Sequence, residues 1–350
     1  MENTKFTSLI DEIIKMKISD LHLTSDSFPY IRNQVGDVVP VESYGVISAA
    51  ELDQITQFLL GRSFDEGTLD ISYSQGFTRF RVNMSRVIRG VSVAMRMIPS
   101  VVPTPAEINL PDSVMRATFA EKGIILITGS TGSGKSTTMA AMLDYINAHT
   151  CRHIITLEDP VEFVYQSRRS LVHQRELGKQ FHSFPEGIRS ILREDPDIIV
   201  IGEMRDLETI EAAITLAETG HLVFSTLHTN DTVQTVDRII QSFPATSQNQ
   251  IRMQFALSMR MILSQMLLPK ADSSGRVAAR EIMFNNDSIR NLIIRGETQQ
   301  LYSVLELSKK DGMILMDECI SNLVNSKQIY SKTALTVMRD PSKLNLDDDE

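Results

Sequence analysis

The sequence predicts an α/β protein, a mostly parallel sheet interleaved with helices, preceded by a smaller α+β domain. Three observations predict it. From residue 123 onward the short apolar segments "GIILITG", "HIITLED", "DIIVIGE" and "HLVFSTLH" alternate with amphipathic stretches, and buried strands joined by helices pair in parallel. Between the first strand and a helical run lies "GSTGSGKST", Gly129–Thr137, a glycine-rich turn in the setting where such turns cradle phosphate. Upstream, "MIPSVVPTPAEINLP", Met97–Pro111, places four prolines in fifteen residues, which forbids a continuous helix and marks a seam. With 350 residues to build two cores, the expected organisation is an N-terminal domain over residues 1–98, a linker over 99–111, a larger domain over 112–340 and an acidic tail over 341–350.

In the small domain, an amphipathic helix over Thr7–Lys17 leads to the strand-like "SDLHLTS", then to "PYIRNQVGDVVPV" with a turn at Gly36-Asp37, then to a helix over Ala49–Leu60. "TRFRVNMSRVIRGVSVAMRMI" alternates with period two, setting Phe80, Val82 and Met84 opposite Arg79, Arg81 and Asn83, with Arg96 facing away from Val91, Val93, Met95 and Met97. Arg79, Arg81, Arg86, Arg89 and Arg96 fall within eighteen residues and are expected to make one polar face cationic. Such a face serves as plain solvated surface, as a nucleic-acid surface, or as a source of arginines for a neighbouring subunit's nucleotide. No aromatic residue is interleaved to stack on bases, which weakens the second reading. In the large domain, Leu207, Ile210, Ile214 and Ala217 share one face of a helix over Asp206–Thr219. From about Ser247 onward the pattern is expected to be helical throughout.

Composition excludes several classes. Hydrophobic residues at 42% and charged residues at 23% describe an ordinary globular chain. A formal charge of −9 disfavours a surface built to coat nucleic acid. Cys151 and Cys319 suggest neither a disulfide framework nor a paired-cysteine zinc site and fit a reducing cytosol. The charged N-terminus lacks a signal-peptide core, and no stretch approaches the roughly 18 apolar residues of a membrane span. Any membrane contact is therefore expected to run through a partner. The closing "LNLDDDE" reads as a solvated tail.

The chemistry concentrates at strand ends. Backbone N–H groups of Ser130, Thr131, Gly132, Ser133, Gly134, Lys135, Ser136 and Thr137 are placed to wrap the phosphates of a nucleotide, with Lys135 reaching the β and γ phosphates and the Ser136 hydroxyl ligating Mg²⁺. "ITLEDPVEFVY" ends its strand in Glu158, Asp159 and Glu162, and a carboxylate emerging beside a phosphate loop orients and polarises an attacking water. "PDIIVIGEMRD" delivers Gly202 and then Glu203, where a longer side chain reaches the Mg²⁺ shell. Glu203 is assigned to the metal and Glu158 to the water, with Glu162 second; the exchanged assignment is equally compatible with the spacing. His221 and His228 lie seven residues apart around one strand, too far for a shared metal. His228, at the rim, is a candidate γ-phosphate sensor, or else a structural histidine.

Taken together, "GSTGSGKSTT", "TLEDPVEF", "LREDPDIIVIGEMRDLETI" and "ETGHLVFSTLHTND" resemble, in order and spacing, the motor ATPases of type II secretion and type IV pilus systems. "SDLHLT", "RFRVN…RG…MRMIP" and "SIRNLI" (Ser288–Ile293) resemble more narrowly the PilT-like, pilus-retraction branch. The resemblance implies a PAS-like N-terminal domain, a RecA-like ATPase domain, ATP with Mg²⁺ held between the two, and assembly as a homohexamer. It implies catalytic roles for Glu158, Glu162 and Glu203, a histidine box of His221 and His228, and arginines directed at the nucleotide in Arg81 and Arg96. It further implies a cytoplasmic motor at the inner face of the membrane, acting on an inner-membrane platform protein, with a second retraction ATPase as a further partner and no nucleic acid. "STLHTND" departs from the "GTLHTTSA" more usual in retraction motors and lies closer to assembly and accessory retraction ATPases. Assembly motors usually add a further N-terminal domain and a four-cysteine zinc site, and with two cysteines and a short N-terminal part neither is expected here; assembly or type II secretion remains the alternative within the family. A RecA-like nucleic-acid translocase is the competing reading from another class.

Overall fold

The computed structural model describes residues 4–16, 18–33, 37–76, 78–98 and 101–344. Two compact units divide the chain, Met1–Val101 and Val102–Glu350.

The first unit is a six-stranded antiparallel sheet with two helices, Thr4–Met16 and Ala49–Leu60. Its strands are β1 (Asp20–Thr24), β2 (Tyr30–Arg32), β3 (Val38–Pro40), β4 (Thr68–Gln75), β5 (Thr78–Val87) and β6 (Gly90–Ile98), in the order β3-β2-β1-β6-β5-β4. This is a small α+β unit, as the alternating and amphipathic segments predict. Alternation along the strands explains its single core: Leu21, Leu23, Phe80, Val82, Met84, Val93 and Met95 point inward against Phe6, Ile10, Leu52 and Ile55 of the helices. The second helix starts where the Ser48 side chain accepts from the Glu51 amide, a capping arrangement worth about 1 kcal/mol. Gly36 of the expected turn lies outside the described residues.

The opposite face corrects the expectation that five arginines make it cationic. Arg81 and Arg96 are direct cross-strand neighbours there, yet each has an acid beside it. Arg96 Nε donates to Asp20 Oδ1 at 2.7 Å, and Arg81 Nε lies 3.8 Å from Asp70 Oδ1. Arg86 is not on this face. It shares the parity of Phe80, Val82 and Met84, so its guanidinium turns to the apolar side, donates to the Phe64 carbonyl at 2.7 Å and stacks over the Phe64 ring. Arg89 sits in the turn between β5 and β6.

The second unit is built on seven strands: β7 (Gly123–Thr128), β8 (His153–Glu158), β9 (Leu171–Glu176), β10 (Ile198–Ile201), β11 (Leu222–Leu227), β12 (Met259–Pro269) and β13 (Arg276–Phe284). Their order is β13-β12-β7-β11-β10-β8-β9, parallel except for the antiparallel β12–β13 pair. Both faces are covered, which is why β7 and β10 read as near-continuous apolar runs and β11 is buried throughout. Ile125, Ile127, Ile154, Val200 and Phe224 pack with the helix Lys135–His149 on one side. Ile124, Leu126, Ile155, Ile199 and Val223 pack on the other with the helices Phe184–Ile191, Leu207–Glu218, Thr232–Gln241 and Gln248–Ser258.

Three expectations are revised here. The region after Ser247 is not helical throughout, because β12 and β13 complete the sheet inside it; "MRMILSQMLLP" is buried on both faces and carries no alternation to betray a strand. The acidic tail does not begin at 341: Pro341–Lys343 form a 3₁₀ turn and Leu344 is buried, and residues 345–350 lie outside the described residues. Of the expected linker, Pro99 and Ser100 lie outside the described residues, whereas from Val102 the chain belongs to the second unit, with Leu110 buried.

Candidate active site at the phosphate loop

Parallel strands bring their C-terminal ends to one edge of the sheet, and ligands bind at that edge in such folds. Here β7 runs into the glycine-rich loop, β8 ends at Glu158, β10 leads to Glu203 and β11 to His228. Gly202 lets two of these ends close up: a Cβ there would meet the Leu157 carbonyl oxygen at 3.2 Å. Its amide donates to that same oxygen at 2.8 Å. Thr226 ties the third strand in, Oγ1 donating to the Gly202 carbonyl at 2.7 Å while its own carbonyl accepts from the Met204 amide at 3.2 Å.

The loop passes into the helix Lys135–His149 with Gly134 at its N-cap and no side chain capping the helix. Its first-turn amides therefore remain open to an anion, and the helix dipole favours one. Lys135 is buried, its Nζ donating to the carbonyls of Gly129 at 2.7 Å and Ser130 at 3.0 Å. Burial holds its ammonium below the usual lysine range, opposed by the Glu203 and Glu162 carboxylates.

Lys135, His228 and Glu203 form a chain. Lys135 Nζ lies 3.5 Å from His228 Nδ1, and His228 Nε2 lies 3.1 Å from Glu203 Oε1. A lysine ammonium can only donate. Nδ1 therefore accepts, and Nε2 carries the proton it donates to Glu203. The second Glu203 oxygen accepts from Arg205 Nε at 2.9 Å, and Arg205 Nη1 reaches to 4.0 Å from Asp159, linking the two acidic segments.

Glu158 stands apart in its electrostatics. Burial raises its carboxyl to about 7, against donation to Oε1 from Thr156 Oγ1 at 2.6 Å and Gln174 Nε2 at 3.1 Å. The neighbouring Glu162 charge raises it further. A carboxyl poised there is placed to accept a proton near neutrality. Glu162 itself is exposed.

The arrangement separates the candidates. His228 bridges Lys135 and Glu203, with Glu158 and Glu162 at and beyond the adjoining strand end. His221 is not brought to them: it lies at the far end of β11, where its Nδ1 meets the Leu216 carbonyl at 3.0 Å and closes the C-terminus of the helix Leu207–Glu218. Arg81 and Arg96 belong to the other unit. Sequence reasoning missed Thr156, Gln174, Arg205 and Gln265; the last donates from Nε2 to the Ser133 carbonyl at 2.5 Å. Its only signal was the polar pair Ser264-Gln265 inside a largely apolar run.

Among the described residues no group of three or more His, Cys, Asp or Glu side chains could hold a metal by itself. The donor set fits Mg²⁺ nonetheless. This ion keeps waters and takes phosphate oxygens beside one or two protein groups, and Ser136 on the first helical turn and Glu203 are groups of that kind.

A parallel sheet with an uncapped phosphate loop, a buried lysine and two carboxylates at the adjoining strand ends defines a RecA-like nucleotide-binding ATPase. The family model for type II/IV secretion system proteins matches residues 4–345, and the chain belongs to that family. It is 44% identical over 334 residues to the type IV pilus retraction ATPase PilT of Pseudomonas aeruginosa, covering 94% of this chain and 96% of that protein. It is 33% identical to the type IV pilus ATPase PilU of the same organism, over 95% and 88% of the two chains. Among solved structures, a crystal structure of the pilus retraction motor PilT with bound ADP superposes with a TM-score of 0.90 at 38% identity, covering 96% of this chain and 98% of that one.

Proposed function

We propose that this protein is an ATP-hydrolysing motor that powers type IV pilus retraction and hence twitching motility. The observation that carries the chemistry is the Lys135–His228–Glu203 chain at the mouth of an uncapped phosphate loop. The likeness to the PilT relatives over nearly the whole chain supplies the work it drives.

In this reading the loop amides from Ser130 to Thr137 hold the phosphates of ATP, and Ser136 and Glu203 would hold Mg²⁺, which would supply charge neutralisation when bound. Lys135 exchanges the Gly129 and Ser130 carbonyls for phosphate oxygens. Glu158 takes the proton of the attacking water, its ionisation near 7 matching that task. His228, released by Lys135, donates to the γ-phosphate or stays on Glu203 according to the nucleotide bound. Arg81 and Arg96 leave Asp70 and Asp20 to supply guanidinium groups to a nucleotide.

The wider setting follows the family: a homohexamer at the cytoplasmic face of the inner membrane, acting on a membrane platform protein. Among the described residues no helix is long and apolar enough to cross a membrane, which supports contact through a partner. A second retraction ATPase is a proposed partner, and nucleic acid is not. Deleting the gene tests the reading directly. Cells that still display pili but cannot shorten them are expected; cells that lose pili altogether would point to assembly. Arg81→Ala and Arg96→Ala are expected to cut turnover by roughly 10³ while leaving the assembled particle intact, and unchanged turnover in both would remove them from the site.

A further inference from the structure

The phosphate loop rests on a buried hydrogen-bonded relay that the ATPase chemistry does not require. Gln265 on β12 is buried between β7 and β13. Its Nε2 donates to the Ser133 carbonyl inside the loop at 2.5 Å, and its Oε1 accepts from Thr138 Oγ1 on the first turns of the following helix at 2.8 Å. The backbone fits as closely: a Cβ on Gly129 would lie 2.2 Å from the Gln265 carbonyl oxygen, so the first loop residue must be glycine for this strand to stand where it does.

Arg280 is the direct cross-strand partner of Gln265. Its Nε lies 3.4 Å from Gln265 Oε1, while Nη1 and Nη2 donate to the carbonyls of Asn109 at 2.9 Å and Ile108 at 2.8 Å. The guanidinium is buried, and its acceptors are amide oxygens rather than a carboxylate. Burying a charge without a counter-charge is expensive, and what offsets that cost here is the set of groups the guanidinium joins. Those groups are the segment by which the chain enters the second unit and the loop that grips phosphate.

We propose that Gln265 and Arg280 are positioning residues that set the shape of the phosphate loop and couple it to the entry segment Ile108–Asn109. The proposal rests on the reading that ATP binds this loop. Neither side chain touches the nucleotide in this scheme. Both hold the Ser133 carbonyl turned inward, so that the loop amides point outward at phosphate, and a shift of the entry segment changes nucleotide affinity.

The test is a double-mutant cycle on the full-length protein with Gln265→Met, Arg280→Lys and the pair. It reads the affinity for a fluorescent ADP, and kcat and KM for ATP, at a temperature where circular dichroism shows every variant folded. Each single change is expected to weaken ADP binding and raise KM by about tenfold with kcat within about twofold, the pattern of lost uniform binding. The pair is expected to be no worse than the weaker-binding single, because one relay is broken once. Asn109→Val, which strains a residue held at φ 51° without touching the loop, is expected to shift affinity in the same direction. Wild-type affinity in both single variants, or penalties that simply multiply in the pair, would overturn the relay. A wild-type protein that binds no ADP would instead overturn the nucleotide site on which it rests.

Discussion

The two ends of the parallel sheet carry similar residues and do different things with them. At the C-terminal end, Glu158, Glu203 and His228 stand at strand ends on the same edge as a loop whose amides are open. At the N-terminal end, His153 Nε2 meets His173 Nδ1 at 3.1 Å, His153 Nδ1 meets the Asp195 carbonyl at 3.2 Å, the Asp197 carboxylate accepts from the His153 amide at 2.7 Å, and His221 is taken up by Leu216. There each histidine closes a bond to a neighbouring ring or to backbone, and the result is a set of turns held shut. The difference teaches that residue type did not decide the location of chemistry. Strand direction did, by delivering helix N-termini and their free amides to one edge only.

The largest expected effect tests that edge. Glu203→Gln keeps the shape of the side chain but removes the charge that His228 and Arg205 hold, and turnover in a phosphate-release assay should fall by roughly 10³ or more with ADP binding retained. Glu158→Gln should fall comparably. It should also separate the two glutamates, because its melting temperature relative to wild type should change with pH. The folded carboxyl ionises near 7 against an ordinary 4.5, so the wild type gains stability from the protonated form below 4.5 and loses it as pH rises through 7. A neutral glutamine has no such loss. The difference in melting temperature should therefore move in favour of the variant across that window, and a flat difference would deny the raised ionisation.

A smaller effect sharpens the same point. Activity that needs the Glu158 carboxylate should rise with pH through about 7. Thr156→Val deletes a hydrogen bond that favours the charged form, so the acid limb of kcat/KM should move to higher pH with the plateau nearly kept. The smallest effect lies at the opposite end. His221→Ala should lose about 1 kcal/mol of stability with its helix-terminal bond and change KM for ATP less than twofold, whereas His228→Ala should cost turnover ten- to a hundredfold. Equal losses in the two would break the contrast between the ends.

Legibility followed the same division. Periodic or punctuated features were visible in the sequence: the loop between β7 and its helix, the four central strands, the helix Leu207–Glu218, and the alternation that sorts Phe80 from Arg81. Arg86 was misplaced only because parity was not carried to the end of its strand. β12 was hidden because burial on both faces erases the period-two signal, and β9 because "LVHQRE" is short and half polar. Gln265 acts on partners more than a hundred residues away, which no local pattern announces; Gln174 reaches Glu158 only across a strand pair, and Thr156, two residues from Glu158 in one strand, reads as an ordinary buried strand residue. His221 and His228 look alike in a motif; only the six-residue strand between them gives them separate surroundings.

One cross-link has a mechanical corollary. Because Thr226 stitches itself to both Gly202 and Met204, the carboxylate of Glu203 and the imidazole of His228 ride on a single stiff plate. Gain or loss of a terminal phosphate cannot easily part them, so the displacement falls to the flexible lysine stem facing that plate. The occupancy of the pocket would then be registered as one ammonium choosing between main-chain oxygens and phosphate oxygens, a two-position switch set against a fixed stop.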